Sequence, residues 1–380
     1  MSAKPHSSRN SRVCGAGTRA CRVETHLDTC PAEVTHSAGA SVGTRDDAAG
    51  NSARATTPST ADATAPHRTG TVSVAGRPNA GKSTLVNALV GDKVSIVAPQ
   101  AQTTRTSLRG IANLPTAQII FTDTPGIHKS DSPLNRRMMD AVRGSLEGQD
   151  LILFVADPTR EPGLEEEQAL SALRQSAPCI LVLSKLDRVA DKRQLLPLIA
   201  SYSKLYPFDE VFPVSAKTGE GLKDLLDAVE RRLPEGPAIF PADQYTDQPA
   251  RFLAAEFIRE RVLVATRQEV PHSVAVLIDQ WQEDARERRP KPVWRSPGQN
   301  PGSLEDGARL TRIAATILVE RPGQKKILIG RQGALLKKIG TEARLEVEKL
   351  VGGPVFLSLF VKVQAKWRED PQFLRAIDWR

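Results

Sequence analysis

Residues 76 to 83 read Gly-Arg-Pro-Asn-Ala-Gly-Lys-Ser, which satisfies G-x-x-x-x-G-K-[ST], the pattern of a phosphate-binding loop. Such a loop works only between a buried strand and the first turn of a helix, so it constrains its flanks as well as itself. The flanks comply: Thr71 to Ala75 suit a short buried strand, and Leu85, Ala88 and Leu89 fall on one helix face. Glycines at 76 and 81 permit the tight turn that aims backbone N–H groups and the helix N-terminus at phosphate oxygens. Gly76, Arg77, Pro78, Asn79, Ala80, Gly81, Lys82, Ser83 and Thr84 are therefore the candidate phosphate contacts. Lys82 is placed to bridge the β- and γ-phosphates, and the Ser83 hydroxyl to ligate Mg²⁺.

A phosphate loop serves GTPases, ATPases and small-molecule kinases alike, so the base-reading residues decide among them. Downstream, Ile119-Ile120-Phe121 forms an apolar strand running into Asp123-Thr124-Pro125-Gly126. There Asp123 suits Mg²⁺ through water, and the Gly126 N–H suits the γ-phosphate, a contact that lasts only as long as that phosphate. A second apolar strand, Ile180 to Leu183, precedes Ser184-Lys185-Leu186-Asp187. The Asp187 carboxylate matches the N1–H and N2–H₂ donors of guanine, which adenine lacks, and the Lys185 stem can cover the base. Val211 to Val214 leads to Ser215-Ala216-Lys217, whose backbone N–H suits guanine O6 and opposes an adenine amino group. Guanine is the base that this set of residues fits.

These four elements resemble those of translation-factor-related GTPases, and the run Gly-Arg-Pro-Asn-Ala-Gly-Lys-Ser-Thr-Leu-Val-Asn resembles the Era family in particular. Ala101-Gln102-Thr103-Thr104-Arg105 is similar to the first switch of that family. The resemblance implies that Thr104, with Thr103 next in line, senses Mg²⁺ and the γ-phosphate. It also implies that Asn79 can position K⁺ where an arginine finger would otherwise neutralise transition-state charge; a plain turn-forming Asn is the other reading. The candidate catalytic set is thus Lys82, Asn79, Thr104, Asp123 and Gly126, with Ser83, Thr104 and Asp123 toward the metal. Two departures matter. Ser184 stands where the base-reading element usually has Asn, which implies weaker guanine binding with the same base choice. Ile127 occupies the position of the water-orienting Gln of Ras-like enzymes, so basal hydrolysis is expected to be slow. His128, beside it, reads as a solvent-facing switch histidine.

Charge is divided unevenly along the 380 residues: residues 1–70 carry +2, 71–247 carry −2 and 248–380 carry +8. A basic C-terminal part suits a polyanion, either RNA or an acidic membrane surface, because each phosphate contact releases counterions. The sequence there is more specific. Arg312 to Glu320 reads as a strand, Lys325 to Ile329 leads into Gly330-Arg331-Gln332-Gly333, and Leu336, Ile339, Ala343, Val347 and Leu350 recur at helical spacing. Strand, short helix, Gly-x-x-Gly and helix is the arrangement of a KH domain, whose loop clamps about four nucleotides of backbone. Gly-x-x-Gly alone is weak, expected by chance about twice at this glycine content. Its surroundings, with Val355 to Val363 and Trp367-Arg368 beyond, resemble the KH end of the Era family. Lys325, Lys326, Gly330, Arg331, Gln332, Gly333 and Lys337 are the candidate RNA contacts. Arg251 to Val264 reads as the entry helix and Pro271 to Val276 as the first strand of this domain. Residues 284–310, charged and rich in Pro and Gly, read as an enlarged surface loop; its basic residues around Trp294 are open to two readings, a merely solvated insertion or further RNA contacts.

Residues 1–70 lack apolar periodicity, and no core is expected of them. Their first 23 residues hold five basic and no acidic side chains, a composition open to three readings: an organellar transit segment, a disordered tail or a misassigned start. Cys14, Cys21, Cys30 and Cys179 match no metal spacing, so a reducing compartment without structural disulfides is expected. Glu165-Glu166-Glu167 reads as the solvated first turn of a helix.

The expected architecture is an α/β chain: a P-loop GTPase with a mixed sheet and flanking helices (71–233), a linker (234–249) and a smaller α+β type II KH domain (250–380). The expected ligands are GTP or GDP with Mg²⁺, and K⁺ through Asn79. Resemblance to the Era family implies a monomer that hydrolyses GTP and binds the 3′ region of small-subunit (16S-type) ribosomal RNA on the 30S subunit. It further implies a role in ribosome maturation in the cytoplasm, with peripheral attachment to the cell membrane as the alternative function.

Overall fold

The computed structural model describes residues 22–24, 66–100, 103–126, 133–173, 177–266, 270, 273–284, 310–370 and 374. Ile127, His128 and nearly all of the 284–310 loop with Trp294, on which expectations were placed, lie outside those residues. After a three-residue strand β1 (Arg22–Glu24), the chain builds the first domain from β2 (Arg68–Ala75), α1 (Lys82–Val90), β3 (Leu108–Asn113), β4 (Ala117–Asp123) and α2 (Pro133–Leu146). It continues with β5 (Leu151–Ala156), α3 (Leu164–Ala172), β6 (Cys179–Leu183), α4 (Leu195–Leu205), β7 (Glu210–Pro213) and α5 (Leu222–Arg232). The strand order is β3-β4-β2-β5-β6-β7, with β3 antiparallel to β4 and the remaining pairs parallel. Strands covered on both faces are mainly apolar, and every residue of β4, β5 and β6 is buried, the polar ones confined to β4. One face packs Val72 and Val74 on Leu85, Leu89, Leu225 and Val229; the other packs Ile152 and Phe154 on Leu170, Leu198 and Tyr202. This parallel arrangement brings the carboxyl ends of β2, β4, β5 and β6 to one edge, where the loops after them form a crevice.

The first strand starts at Arg68, earlier than its apolar run suggested, because residues outside that run hydrogen-bond to distant backbone. Arg68 N–H donates to Thr116 O at 2.9 Å and Thr69 N–H to Pro234 O at 3.0 Å. Residues 234–249, expected as a linker, adhere to the outer edge of the sheet. Gln118 Oε1 accepts the N–H groups of Ile239 (2.7 Å) and Phe240 (2.9 Å), and Ile111 N–H donates to Tyr245 O at 2.8 Å. The strap thereby satisfies part of the free edge of β3.

The second domain runs α6 (Ala250–Ala265), β8 (Ala275–Asp284), β9 (Leu310–Val319), α7 (Pro322–Ile329), α8 (Ala334–Val351), β10 (Val355–Val363). Its sheet is ordered β1-β10-β9-β8; β9 and β10 are parallel, β8 and β9 antiparallel, and β1 pairs antiparallel with β10. The α-β-β-α-α-β order is that of a type II KH domain. Its first strand starts at Ala275, later than expected, since Pro271 lacks an N–H to donate and Ser273 N–H turns back to Val270 O at 3.1 Å. The core joins Ile258, Val262, Ile313, Ile317, Ile339, Val347 and Leu357, and it includes Val94, Ile96 and Leu108 of the first domain. The segment after α1 is therefore shared hydrophobic structure between the two domains.

Candidate nucleotide site and nucleic-acid loop

Between β2 and α1 the loop turns through positive φ at Gly76 (142°), Asn79 (59°) and Gly81 (104°), and α1 starts at Lys82 with its N-terminus toward the crevice. Lys82 is 6% exposed; its ammonium donates to Gly76 O at 3.1 Å and Arg77 O at 3.0 Å. Burial pushes its pKa down to about 8, against the pull of the Asp123 carboxylate. The Ser83 hydroxyl donates to Asp123 Oδ2 at 2.7 Å and lies 2.9 Å from Thr104 Oγ1, which in turn donates to the same Asp123 oxygen at 3.1 Å. Asp123 is fully buried, its pKa raised chiefly by burial, and its other oxygen, Oδ1, has no hydrogen-bond partner. Two hydroxyls and a buried carboxylate with an unpartnered oxygen form a hard oxygen set that fits Mg²⁺. Thr124 Oγ1 donates to Val74 O at 2.8 Å and fixes the turn after β4. Pro125 and Gly126 are buried beyond it, and a Cβ on Gly126 would come within 2.7 Å of Pro78, so only glycine lets this turn close on the phosphate loop.

The base-reading elements follow β6 and β7. The buried Ser184 hydroxyl reaches both Ala80 O and Ala156 O (3.1 Å to the latter), tying this loop to the phosphate loop. Lys185, at φ 53°, donates to Asn79 O at 2.5 Å and to Asp157 Oδ2 at 2.7 Å. Asp187 is exposed and accepts from Ser215 Oγ at 2.7 Å, and that hydrogen bond is the first cause of its lowered pKa. Ser215 is buried, Ala216 half-buried and Lys217 exposed. A cleft of about 890 Å³ is lined by the phosphate loop together with Thr103, Thr104, Thr124, Gly126 and Lys185. Asp187 and the 215–217 turn are outside that lining but adjoin it through Lys185 and Arg188.

Several lining residues were absent from the sequence reading: Val97 to Pro99, Asp157, Thr159, Arg160 and Arg188. Asp157 left a usable signal, a carboxylate directly after a fully buried parallel strand, where ligands of such sheets sit. The acidic run forms the first turn of α3 as expected, with Glu165 and Glu167 exposed, and departs from expectation at one residue. Glu166 is 3% exposed, not solvated: its carboxylate accepts from Gly163 N–H at 3.0 Å and pairs with Arg77 Nη1 at 3.2 Å, bracing the phosphate loop.

Residues 93–100 and 103–105, which include Thr104, lie along α6. Buried Glu260 accepts from Lys93 Nζ, from Arg261 Nη2 and from Val97 N–H at 2.8 Å. Gln100 Nε2 donates to Leu263 O at 2.9 Å and Thr266 O at 3.2 Å, and buried Arg259 donates to Thr103 O and to Glu256. An apolar stripe on α6 was legible in the sequence; this second, charged face was not.

At the far end of the second domain, Gly330 (φ 69°), Gln332 (φ 52°) and Gly333 (φ 82°) turn the chain from α7 into α8. A Cβ on Gly330 would sit 2.8 Å from Leu335 Cβ. Lys326, Arg331, Gln332 and Lys337 are exposed around this turn, Lys325 is half-buried and Gly333 is buried. The start of α7, one helix length before this turn, is held in place: Gln324 Oε1 accepts from Glu320 and Arg321 N–H, and Arg368 clasps Glu320 with two bonds of 2.9 and 2.6 Å. Backbone N–H groups and cations together suit a sugar-phosphate chain. Among the described residues no cluster of three or more His, Cys, Asp or Glu suits a metal, and no helix is long and apolar enough to cross a membrane.

Residues 71–185 match the family model described as 50S ribosome-binding GTPase, and residues 304–368 match that of the KH domain. GTPase Era of Geobacter metallireducens is 44% identical over 315 residues, 83% of this chain and 98% of that protein. GTPase Era of Geotalea daltonii is 46% identical over 307 residues, 80% of this chain and 96% of that one. Among solved structures, an Aquifex aeolicus Era variant bound to GDP·AlF₄⁻ superposes with a TM-score of 0.73 at 38% identity, covering 82% of this chain and 99% of that one. Era in complex with MgGDPNP and nucleotides 1506–1542 of 16S ribosomal RNA matches with the same TM-score, identity and coverage. With the phosphate loop, the guanine-fitting carboxylate and the KH turn joined in one chain of this arrangement, the protein belongs to the Era GTPase family.

Proposed function

We propose that this chain hydrolyses GTP to GDP and phosphate in step with binding the 3′ region of small-subunit ribosomal RNA, as part of 30S subunit maturation in the cytoplasm. The observation that carries the coupling is the placement of residues 93–100 and 103–105. They line the nucleotide cleft from Val97 to Pro99 and at Thr103 and Thr104, and they hydrogen-bond to α6 of the KH domain. Lys82 exchanges its two carbonyl partners for β- and γ-phosphate oxygens, Asp187 reads guanine, and the Gly126 N–H meets the γ-phosphate. Mg²⁺, held by Ser83, with Thr104 and Asp123 toward it, supplies charge neutralisation on those oxygens. Asn79, whose Nδ2 donates to Pro99 O at 3.4 Å, holds the phosphate loop against the switch and is the residue to which we assign a K⁺ requirement. With Ile127 unable to orient water, hydrolysis is slow until the switch is ordered. The exposed cations around Gly330 to Gly333 grip the RNA backbone, a reading supported by the Era relative whose structure holds 16S ribosomal RNA. The test is fluorescence anisotropy of a labelled RNA of the small-subunit 3′ end, titrated with the protein loaded with a GTP analogue or with GDP. We expect at least about tenfold tighter binding with the analogue, equivalent to ~1.4 kcal/mol. Equal affinities would overturn the coupling.

A further inference from the structure

Thr104 has neighbours on either side that both leave the nucleotide domain. On one side the Thr103 carbonyl is held by the buried Arg259 guanidinium of α6. On the other, Arg105 reaches into the second domain, where its Nη1 donates to Val274 O at 2.7 Å and its guanidinium lies 5.6 Å from the centre of the Trp367 ring. Trp367 is 1% exposed, its indole N–H donates to Ser273 O at 3.0 Å, and it shares a small core with Ala275, Leu318 and Leu374 against which Leu134 of α2 packs. The carbonyls of Ser273 and Val274 and the ring of Trp367 thus make a socket at the mouth of β8, built wholly from the KH domain. A cation over an aromatic ring in a desolvated setting is worth more than at the surface. A guanidinium stays protonated in proteins, so the group enters its socket charged.

Geometry links the socket to the switch. Arg105 and Thr104 are adjacent, so Thr104 cannot leave Ser83 and Asp123 by more than a short distance while Arg105 stays seated. We propose that Arg105 is a positioning residue. Seated between the Val274 carbonyl and the Trp367 ring, it holds Thr104 in its metal-facing place, and its release on loss of the γ-phosphate transmits nucleotide state to the KH domain. This inference rests on the coupled reading above and assigns that coupling to one side chain. Arg105 touches no reacting atom, and the nucleotide pocket itself is complete without it.

Full-length protein is compared with Arg105→Ala, Arg105→Lys and Trp367→Phe, measuring affinities for GDP, for a GTP analogue and for the 3′-end RNA in each nucleotide state. The wild type is expected to show tighter RNA binding with the analogue. Arg105→Ala is expected to keep GDP affinity within about twofold, to weaken the GTP analogue about tenfold and to erase the dependence of RNA affinity on nucleotide. Lysine keeps the charge without the planar fork and should rescue part of that dependence; Trp367→Phe keeps a ring face and should retain most of it. GDP affinity near wild type certifies that a variant is folded. If the wild type shows no nucleotide dependence, both the coupled reading and this one fall. If the wild type shows it and Arg105→Ala and Arg105→Lys retain it fully, the coupling stands and Arg105 is not its carrier.

Discussion

Ser184 illustrates how a single hydroxyl differs from the amide that its family uses. It lies within reach of two carbonyls, Ala80 O on the phosphate loop and Ala156 O at the end of β5, yet a hydroxyl carries one proton and can donate to only one of them at a time. An Asn in this place has two N–H donors, enough for both. Ser184→Asn is therefore expected to tighten GDP binding about fivefold, the value of one net hydrogen bond near 1 kcal/mol, with unchanged preference for guanine over adenine. Isothermal titration calorimetry with GDP and ADP checks it; GDP bound no more tightly would show that the missing donor costs nothing. The departure at this position was visible in the sequence, because a motif fixes which residue is unusual. Its partners were not, since Ala80 and Ala156 are identified only once the two loops converge.

Among the elements, α6 combines two roles that one helical period conceals. Phe252, Ala255, Ile258 and Val262 gave it a legible apolar face, and these residues are buried in the core of the second domain. Arg259 and Glu260 are both 2% exposed, and besides its local partner each holds one more than 150 residues earlier in the chain. No local pattern encodes a pairing at such a separation. The same limit hid the Arg77–Glu166 pair and the strap of residues 234–249, whose hydrogen bonds go to distant backbone and side chains. Glu260→Gln removes the charge that gathers Lys93 and Arg261 while leaving an acceptor for Val97 N–H. It is expected to cost about 1–3 kcal/mol of local stability and to raise hydrogen exchange at residues 93–104, with the α1 amides unchanged. Exchange measured by mass spectrometry that leaves 93–104 as protected as in the wild type would show that this ion cluster does not order the switch.

At the scale of the whole molecule, the two functional loops are the most legible parts because each motif carries its own structural context. A Gly-x-x-x-x-Gly-Lys-Ser run needs a strand before it and a helix after it, and a Gly-x-x-Gly run is informative only between a short helix and a following one; both contexts could be checked along the chain. The contacts between the two domains were not legible. Residues 93–100 and 103–105 belong by sequence to the nucleotide domain and by packing to both. Gly330→Asp is expected to separate the activities: a side chain at φ 69°, crowded against Leu335, should lower RNA affinity more than about tenfold while GDP affinity stays as it was. Filter binding with the 3′-end RNA and calorimetry with GDP report the two halves of that statement, and a parallel loss of GDP binding would mean that the domains do not fail independently. The most direct test of a switch shared between the two domains is steady-state GTP hydrolysis by the full chain, with and without saturating RNA of the small-subunit 3′ end. Slow turnover that RNA accelerates about tenfold, a barrier lowered by ~1.4 kcal/mol, is the expected result; RNA that binds and leaves the turnover unchanged would contradict it.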